Sequence, residues 1–195
     1  MLKIKNIVDY AFRLAENALT RVTPFADLYT GYYQNMIKDE SSMAGISCST
    51  SVLHIGCGPI PNTAVTLARL TGAKVTAVDN NPDAVKKAID YVKQVNMQKL
   101  VHIKTGDGMA FPVQNFGVII LSLGVEPIGK VLRHISLSSD PNTNIIYRRT
   151  RYGKHIIIPR DIFVVKNQVN HHMLRILSLT EALLLVKRDA SEKDI

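Results

Sequence analysis

Between Val52 and Pro82 the chain passes from an apolar strand through a glycine turn and a helical stretch into a second apolar strand that ends on a carboxylate. The first strand and turn read Val52-Leu53-His54-Ile55-Gly56-Cys57-Gly58-Pro59-Ile60-Pro61, and the second strand reads Lys74-Val75-Thr76-Ala77-Val78-Asp79-Asn80-Asn81-Pro82. Asp79 falls 23 positions after Gly56. This is the layout of a Rossmann-like nucleotide site, with glycines under the ligand and an acid for a ribose diol. The turn departs from a dinucleotide turn. Pro61 stands where G-x-G-x-x-G has its third glycine, and Pro59 is close by. Each proline removes a backbone N–H from the loop that would otherwise cradle a pyrophosphate.

The segments after this unit continue to alternate. Asn62–Leu70 reads as the helix of the unit. Asn81-Pro82-Asp83 offers a capping side chain, a first-turn proline and a first-turn acid, and predicts a helix running to about Val95. Strands are expected at Leu100–Thr105, Gly117–Leu123 and Asn144–Arg149, with a helix over Ile128–Leu137. Such alternation implies an α/β fold with a mostly parallel sheet and helices on both faces. Met173–Leu179 and Ala182–Arg188 are apolar runs joined at Thr180-Glu181. A joint that short cannot carry a crossover, so the last two strands are expected to form an antiparallel hairpin.

The first fifty residues read differently. Helical spacing of apolar residues predicts one helix over 3–19 and a second, opened by Thr23-Pro24, over 24–37. Ser41–Thr50 is small and polar and reads as a linker. The organisation expected is an N-terminal helical cap over 1–50 and a Rossmann-like domain over 51–190. The cap is expected to roof an acceptor pocket, with Tyr29, Tyr32 or Tyr33 facing the ligand.

A third signal follows the third strand, Thr105-Gly106-Asp107-Gly108. An acid there can accept from an adenine amine, although Asp-Gly also favours a plain turn. Together the three loops lie at the carboxyl ends of successive strands, where open sheets bind ligands. S-adenosylmethionine has no phosphate, so it suits a turn poor in N–H groups. It requires only close backbone approach at Gly56 and Gly58 and a diol acceptor at Asp79. The cofactor-binding candidates are Gly56, Cys57, Gly58, Asp79, Asn80, Asp107, Gly108 and Ser122. Cys57 is read there as a small residue rather than a nucleophile.

Composition narrows the remaining classes. A chain of 195 residues with 46% hydrophobic content can bury a real core. No apolar run approaches the roughly 20 residues of a membrane span, and charges interrupt the first nine residues, unlike a secretory h-region. Two cysteines, Cys48 and Cys57, suggest neither a disulfide framework nor a metal site and fit a cytoplasmic protein. The adjacent pair His171-His172 is read as loop-facing rather than metal-binding. The net charge is +8, and the stretch from Arg148 to Arg188 holds nine Lys/Arg against two acids. A basic face can attract nucleic acid. No aromatic-interleaved RNA motif accompanies it, so a solvated surface is preferred.

With these motifs in place, residues 50–190 resemble the class I S-adenosylmethionine-dependent methyltransferases. A narrower likeness joins Gly56-Cys57-Gly58-Pro59-Ile60-Pro61-Asn62-Thr63 to the G-x-G-P-x-P-x-T turn of nicotianamine synthases. Tyr147-Arg148, Gly153 and Ile158-Pro159 are similar to that family's strand-five arginine and the segment after it, and Leu174–Ser178 and Leu183–Arg188 are similar to its closing strands. Glu40 matches the family's catalytic glutamate by position only. The superfamily resemblance implies methyl transfer to a small molecule. The narrower one implies transfer of the cofactor's aminocarboxypropyl arm, as the alternative. A cofactor-binding RNA or partner module without turnover is a third expectation. The loop after strand four, Ser122-Leu123-Gly124-Val125-Glu126, lacks the Pro-Pro-aromatic motif of amino methylation. The acceptor, the catalytic residues and the oligomeric state are not set by the sequence.

Overall fold

The computed structural model describes residues 23–150, 163–173 and 177–187. A single seven-stranded sheet organises them. The elements are helix α1 (Thr23–Ala44), β1 (Ser51–Ile55), α2 (Asn62–Thr71), β2 (Lys74–Asp79), α3 (Pro82–Gln94), β3 (Val101–Thr105), β4 (Val118–Leu121), α4 (Ile128–Ser138), β5 (Asn144–Thr150), β6 (Phe163–Met173) and β7 (Leu177–Lys187). The strand order is β3-β2-β1-β4-β5-β7-β6. The first five strands pair in parallel, and β7 runs antiparallel to both β5 and β6.

The parallel centre follows from side-chain chemistry. All four residues of β4, Val-Ile-Ile-Leu, are buried, as expected of a strand covered on both faces. On one face Met36, Ile37 and Ala44 of α1 join Ala64, Val65 and Leu67 of α2 and Val92 of α3 in one apolar cluster over β1, β2 and β4. On the other face Ile128, Val131, Leu132 and Ile135 of α4 pack with Leu53, Ile119, Ile145 and Phe163. Helix α3 starts as its sequence predicts: Asn81 Oδ1 accepts from the backbone N–H of Asp83 at 3.0 Å, with proline at the helix start.

Two expectations require correction. Helix α1 does not stop at residue 37 but continues to Ala44, so the linker shortens to the turn before β1. Over its last turns it is a layer of the core, and Tyr33 is half-buried against the same cluster. The side chains of Tyr29 and Tyr32 lie outside what the structure describes, as does the helix expected over 3–19. The final hairpin also differs. Thr180-Glu181 is not a turn but the interior of β7, and the partner strand is β6, which contains His171-His172. A polar segment, Lys166-Asn167-Gln168, forms part of this strand because β6 lies at the sheet edge, where polar residues face solvent and discourage further pairing. Two register irregularities, at Val165/Asn167 and His171/His172, interrupt the ladder.

Candidate active site

The carboxyl ends of β1, β2, β3 and β4 are tied together by backbone bonds that continue past the strands. The N–H groups of Gly56 and Cys57 both donate to Val78 O, at 2.8 and 3.0 Å. Gly106 N–H donates to Asp79 O at 2.9 Å, and Ser122 N–H to Ile55 O at 3.1 Å. The loops singled out in the sequence therefore meet at one edge of the sheet.

Asp79 holds the glycine turn in place. Its Oδ2 accepts from Gly58 N–H at 2.8 Å and its Oδ1 from Asn81 N–H at 3.0 Å. Each carboxylate oxygen keeps a second lone pair, so the group can still accept from a diol. Gly56 has φ +80 and Gly58 φ +65, a region L side chains rarely enter. At Gly56 a Cβ would also stand 2.7 Å from Val125 Cγ2. Cys57 is buried, and burial foremost, then the Asp79 carboxylate, pushes its thiol up to about 12. Such a thiol stays protonated and unreactive. Asn80 is exposed at the end of the turn.

The third loop has a more structural basis than its sequence suggests. Asp107 Oδ1 accepts from Met109 N–H at 2.8 Å, and Asp107 O accepts from Phe111 N–H at 2.7 Å. A Cβ on Gly108 would stand 2.8 Å from Ile55 Cγ2, so this glycine is required by packing.

Behind the glycine turn lies a buried polar cluster that joins three elements. Arg148 of β5 donates from Nε to Glu40 Oε1 at 2.8 Å and from Nη2 to Glu40 Oε2 at 2.6 Å, while Nη1 donates to Thr63 Oγ1 at 2.9 Å. Glu40 is 1% exposed and Arg148 5%. Adjacent to it, His54 of β1 is fully enclosed, and its Nε2 lies 2.7 Å from Ser122 Oγ. Burial, then the Arg148 cation, lowers the His54 pKa to about 3, so the ring is neutral. Thus Glu40, Thr63 and Arg148, matched to one family at three separate places in the sequence, are a single hydrogen-bonded unit. His54 was not singled out. A histidine inside an apolar strand carries no signal until its partner is known, and Ser122 lies 68 positions away.

A second cluster sits on β5, β6 and β7. Arg149 Nε donates to Glu181 Oε1, and Gln168 Nε2 donates to Glu181 Oε2 at 2.6 Å. Gly153 and Ile158-Pro159 lie outside the described residues, as do Leu174–Ile176. Among the described residues no group of three His, Cys, Asp or Glu could hold a metal ion, and no helix is long and apolar enough to cross a membrane.

This architecture is the Rossmann-like fold of class I S-adenosylmethionine-dependent methyltransferases. A glutamate-to-glutamine variant of the nicotianamine synthase MtNAS matches with a TM-score of 0.72 over 82% of this chain and 61% of that one, at 24% identity. The same variant has also been solved with S-adenosylmethionine, and MtNAS with MTA and tNA. An RNA methyltransferase from Salinibacter ruber, solved with S-adenosylhomocysteine, matches with a TM-score of 0.62 over 83% of this chain and 95% of that one, at 17% identity. At these identities the likeness shows the fold. In sequence, the L-histidine 2-aminobutanoyltransferase of Yersinia pestis is 30% identical over 84 residues, which are 43% of this chain and 32% of that protein. The sterol 24-C-methyltransferase ERG6A of Gibberella zeae is 29% identical over 93 residues, 45% and 24% of the two lengths. The chain therefore matches about a third and a quarter of these relatives' own lengths. No known family profile matches it.

Proposed function

We propose that this chain is an S-adenosylmethionine-dependent transferase that moves the cofactor's aminocarboxypropyl arm onto the amine of a small amino-acid acceptor, with L-histidine as the first candidate. The observation that carries this reading is the convergence of Glu40, Thr63 and Arg148. Three residues matched separately to nicotianamine synthases form one buried unit behind the turn at Gly56–Pro61. The partial relationship to a histidine 2-aminobutanoyltransferase points the same way.

In this reading the adenosine lies along the carboxyl edge of the sheet. The Gly56–Gly58 turn admits it closely, Asp79 and Asn80 meet the ribose, and Asp107 and Gly108 border the base. Ser122 faces the methionyl end. The acceptor nitrogen attacks the γ-carbon of the arm, the carbon–sulfur bond breaks, and sulfur keeps the electron pair. The products are methylthioadenosine and an alkylated amine that releases a proton. Alignment of nitrogen, carbon and sulfur supplies much of the rate. Glu40 has both carboxylate oxygens on the Arg148 guanidinium. Its role here is to hold Arg148 and the start of α2 in register.

Methyl transfer to a small molecule is the second reading, favoured by the sterol methyltransferase similarity. Incubation with S-adenosylmethionine and L-histidine, followed by mass spectrometry, separates the two. Methylthioadenosine with a histidine adduct supports arm transfer. S-adenosylhomocysteine with a methylated acceptor replaces it by methyl transfer.

A further inference from the structure

The ring of His54 is bonded on one side only. Nε2 meets Ser122 Oγ at 2.7 Å, whereas the buried Nδ1 has no partner. A neutral imidazole carries one N–H, and the surroundings decide where. A proton on Nδ1 would leave a buried donor unsatisfied, which native proteins avoid more strongly than a bare acceptor. His54 therefore donates from Nε2–H, and Ser122 Oγ accepts.

This assignment determines what Ser122 can do. Its hydroxyl has given one lone pair to the histidine and cannot return its proton to that ring, so the proton must find an acceptor elsewhere. Ser122 is the first residue beyond β4 and is half-buried. Its Cβ lies 3.4 Å from where a Cβ on Gly56 would stand, so the hydroxyl adjoins the glycine turn. Of the two charged groups on the cofactor's arm, the ammonium can only donate and the carboxylate can only accept.

Resting on the function proposed above, we infer that His54 is a positioning residue that commits the Ser122 hydroxyl to donate to the carboxylate of the cofactor's aminocarboxypropyl arm. Ser122 would thereby distinguish a nucleoside that carries the arm from one that has lost it. Substrate would be retained and methylthioadenosine released.

Calorimetry with two ligands tests this, because methylthioadenosine lacks the arm. Ser122→Ala is expected to weaken S-adenosylmethionine about tenfold, the scale of one hydrogen bond to a charged group, and to leave methylthioadenosine within about twofold. Ser122→Thr, which keeps a hydroxyl, should recover most of the loss. His54→Phe should reproduce the selective loss and add nothing in the Ser122→Ala background. His54→Gln, whose amide N–H can stand near the Nε2 position, should retain selectivity and serves as the histidine probe if His54→Phe does not fold. Equal loss of both ligands in Ser122→Ala, no loss at all, or full additivity with His54→Phe overturns the inference alone. Wild-type protein that binds neither ligand overturns it together with the function on which it rests.

Discussion

At the scale of single residues, Asp79 and His54 carry the most weight. Asp79 restrains the glycine turn through Gly58 N–H and retains lone pairs for a diol. Asp79→Ala should weaken S-adenosylmethionine binding by about 1.5–3 kcal/mol, the range for hydrogen bonds to a charged group. Calorimetry should show adenosine weakened in parallel, and unchanged affinity in a folded variant would place the diol contact elsewhere. His54 makes a pH prediction. Its pKa is lowered from 6.5 to about 3 on folding, so below pH 6.5 the unfolded chain binds a proton that the folded chain refuses. This contribution is absent above pH 6.5 and destabilises progressively as pH falls toward 3, by about 1 kcal/mol per unit. Urea titrations of wild type and His54→Gln at pH 7, 6 and 5 should diverge on the acid side; parallel curves would contradict a buried neutral ring. Gly56 and Asp79 were legible in sequence because their spacing is local to one βαβ unit. The pairing of His54 with Ser122 was not, since only the adjacency of β1 and β4 in the sheet creates it.

Among the elements, α1 connects the N-terminal part to the site. Glu40 extends from it to Arg148, and Arg148 also holds Thr63 in the first turn of α2. Burying such a pair is costly, and removing one partner strands the other charge, a loss of about 3–5 kcal/mol. Glu40→Leu and Arg148→Met should therefore each lower unfolding stability by that order, while the double variant should recover much of it, because an apolar pair of similar volume no longer strands a charge. Additive losses in urea titrations would show that the two side chains do not act as a pair. Removing residues 1–40 would cut α1 within its buried stretch and take Met36 and Ile37 out of the core. The alternation from β1 to β5 was readable from apolar runs and capping residues. The closing hairpin was misplaced because its two strands break the usual patterns. β7 carries Thr180-Glu181 in its interior, and β6 is rich in polar residues. Both are stable only in context: Glu181 is paired by Arg149 and Gln168 from the flanking strands, and β6 has an open edge.

For the whole molecule, the basic C-terminal stretch has a partly internal explanation. Of the cations there whose side chains are described, Arg148 pairs with Glu40, Arg149 with Glu181, and Lys187 donates to Ser139 O, leaving Lys166 exposed. Three of these four described cations are therefore engaged inside the fold rather than presented as a face for nucleic acid. The site itself is defined by the turn from Gly56 to Pro61. It offers N–H groups from Gly56 and Cys57 that are already bonded to Val78 O, one from Gly58 bonded to Asp79, and none from Pro59 or Pro61. Within the turn few donors are left for a pyrophosphate, whereas a phosphate-free ribose joined to a sulfonium needs only the close approach and the acid. The most direct measurement is calorimetric titration of the wild-type chain with S-adenosylmethionine and with NAD. The account predicts that S-adenosylmethionine binds more tightly than NAD; tighter binding of NAD would contradict it.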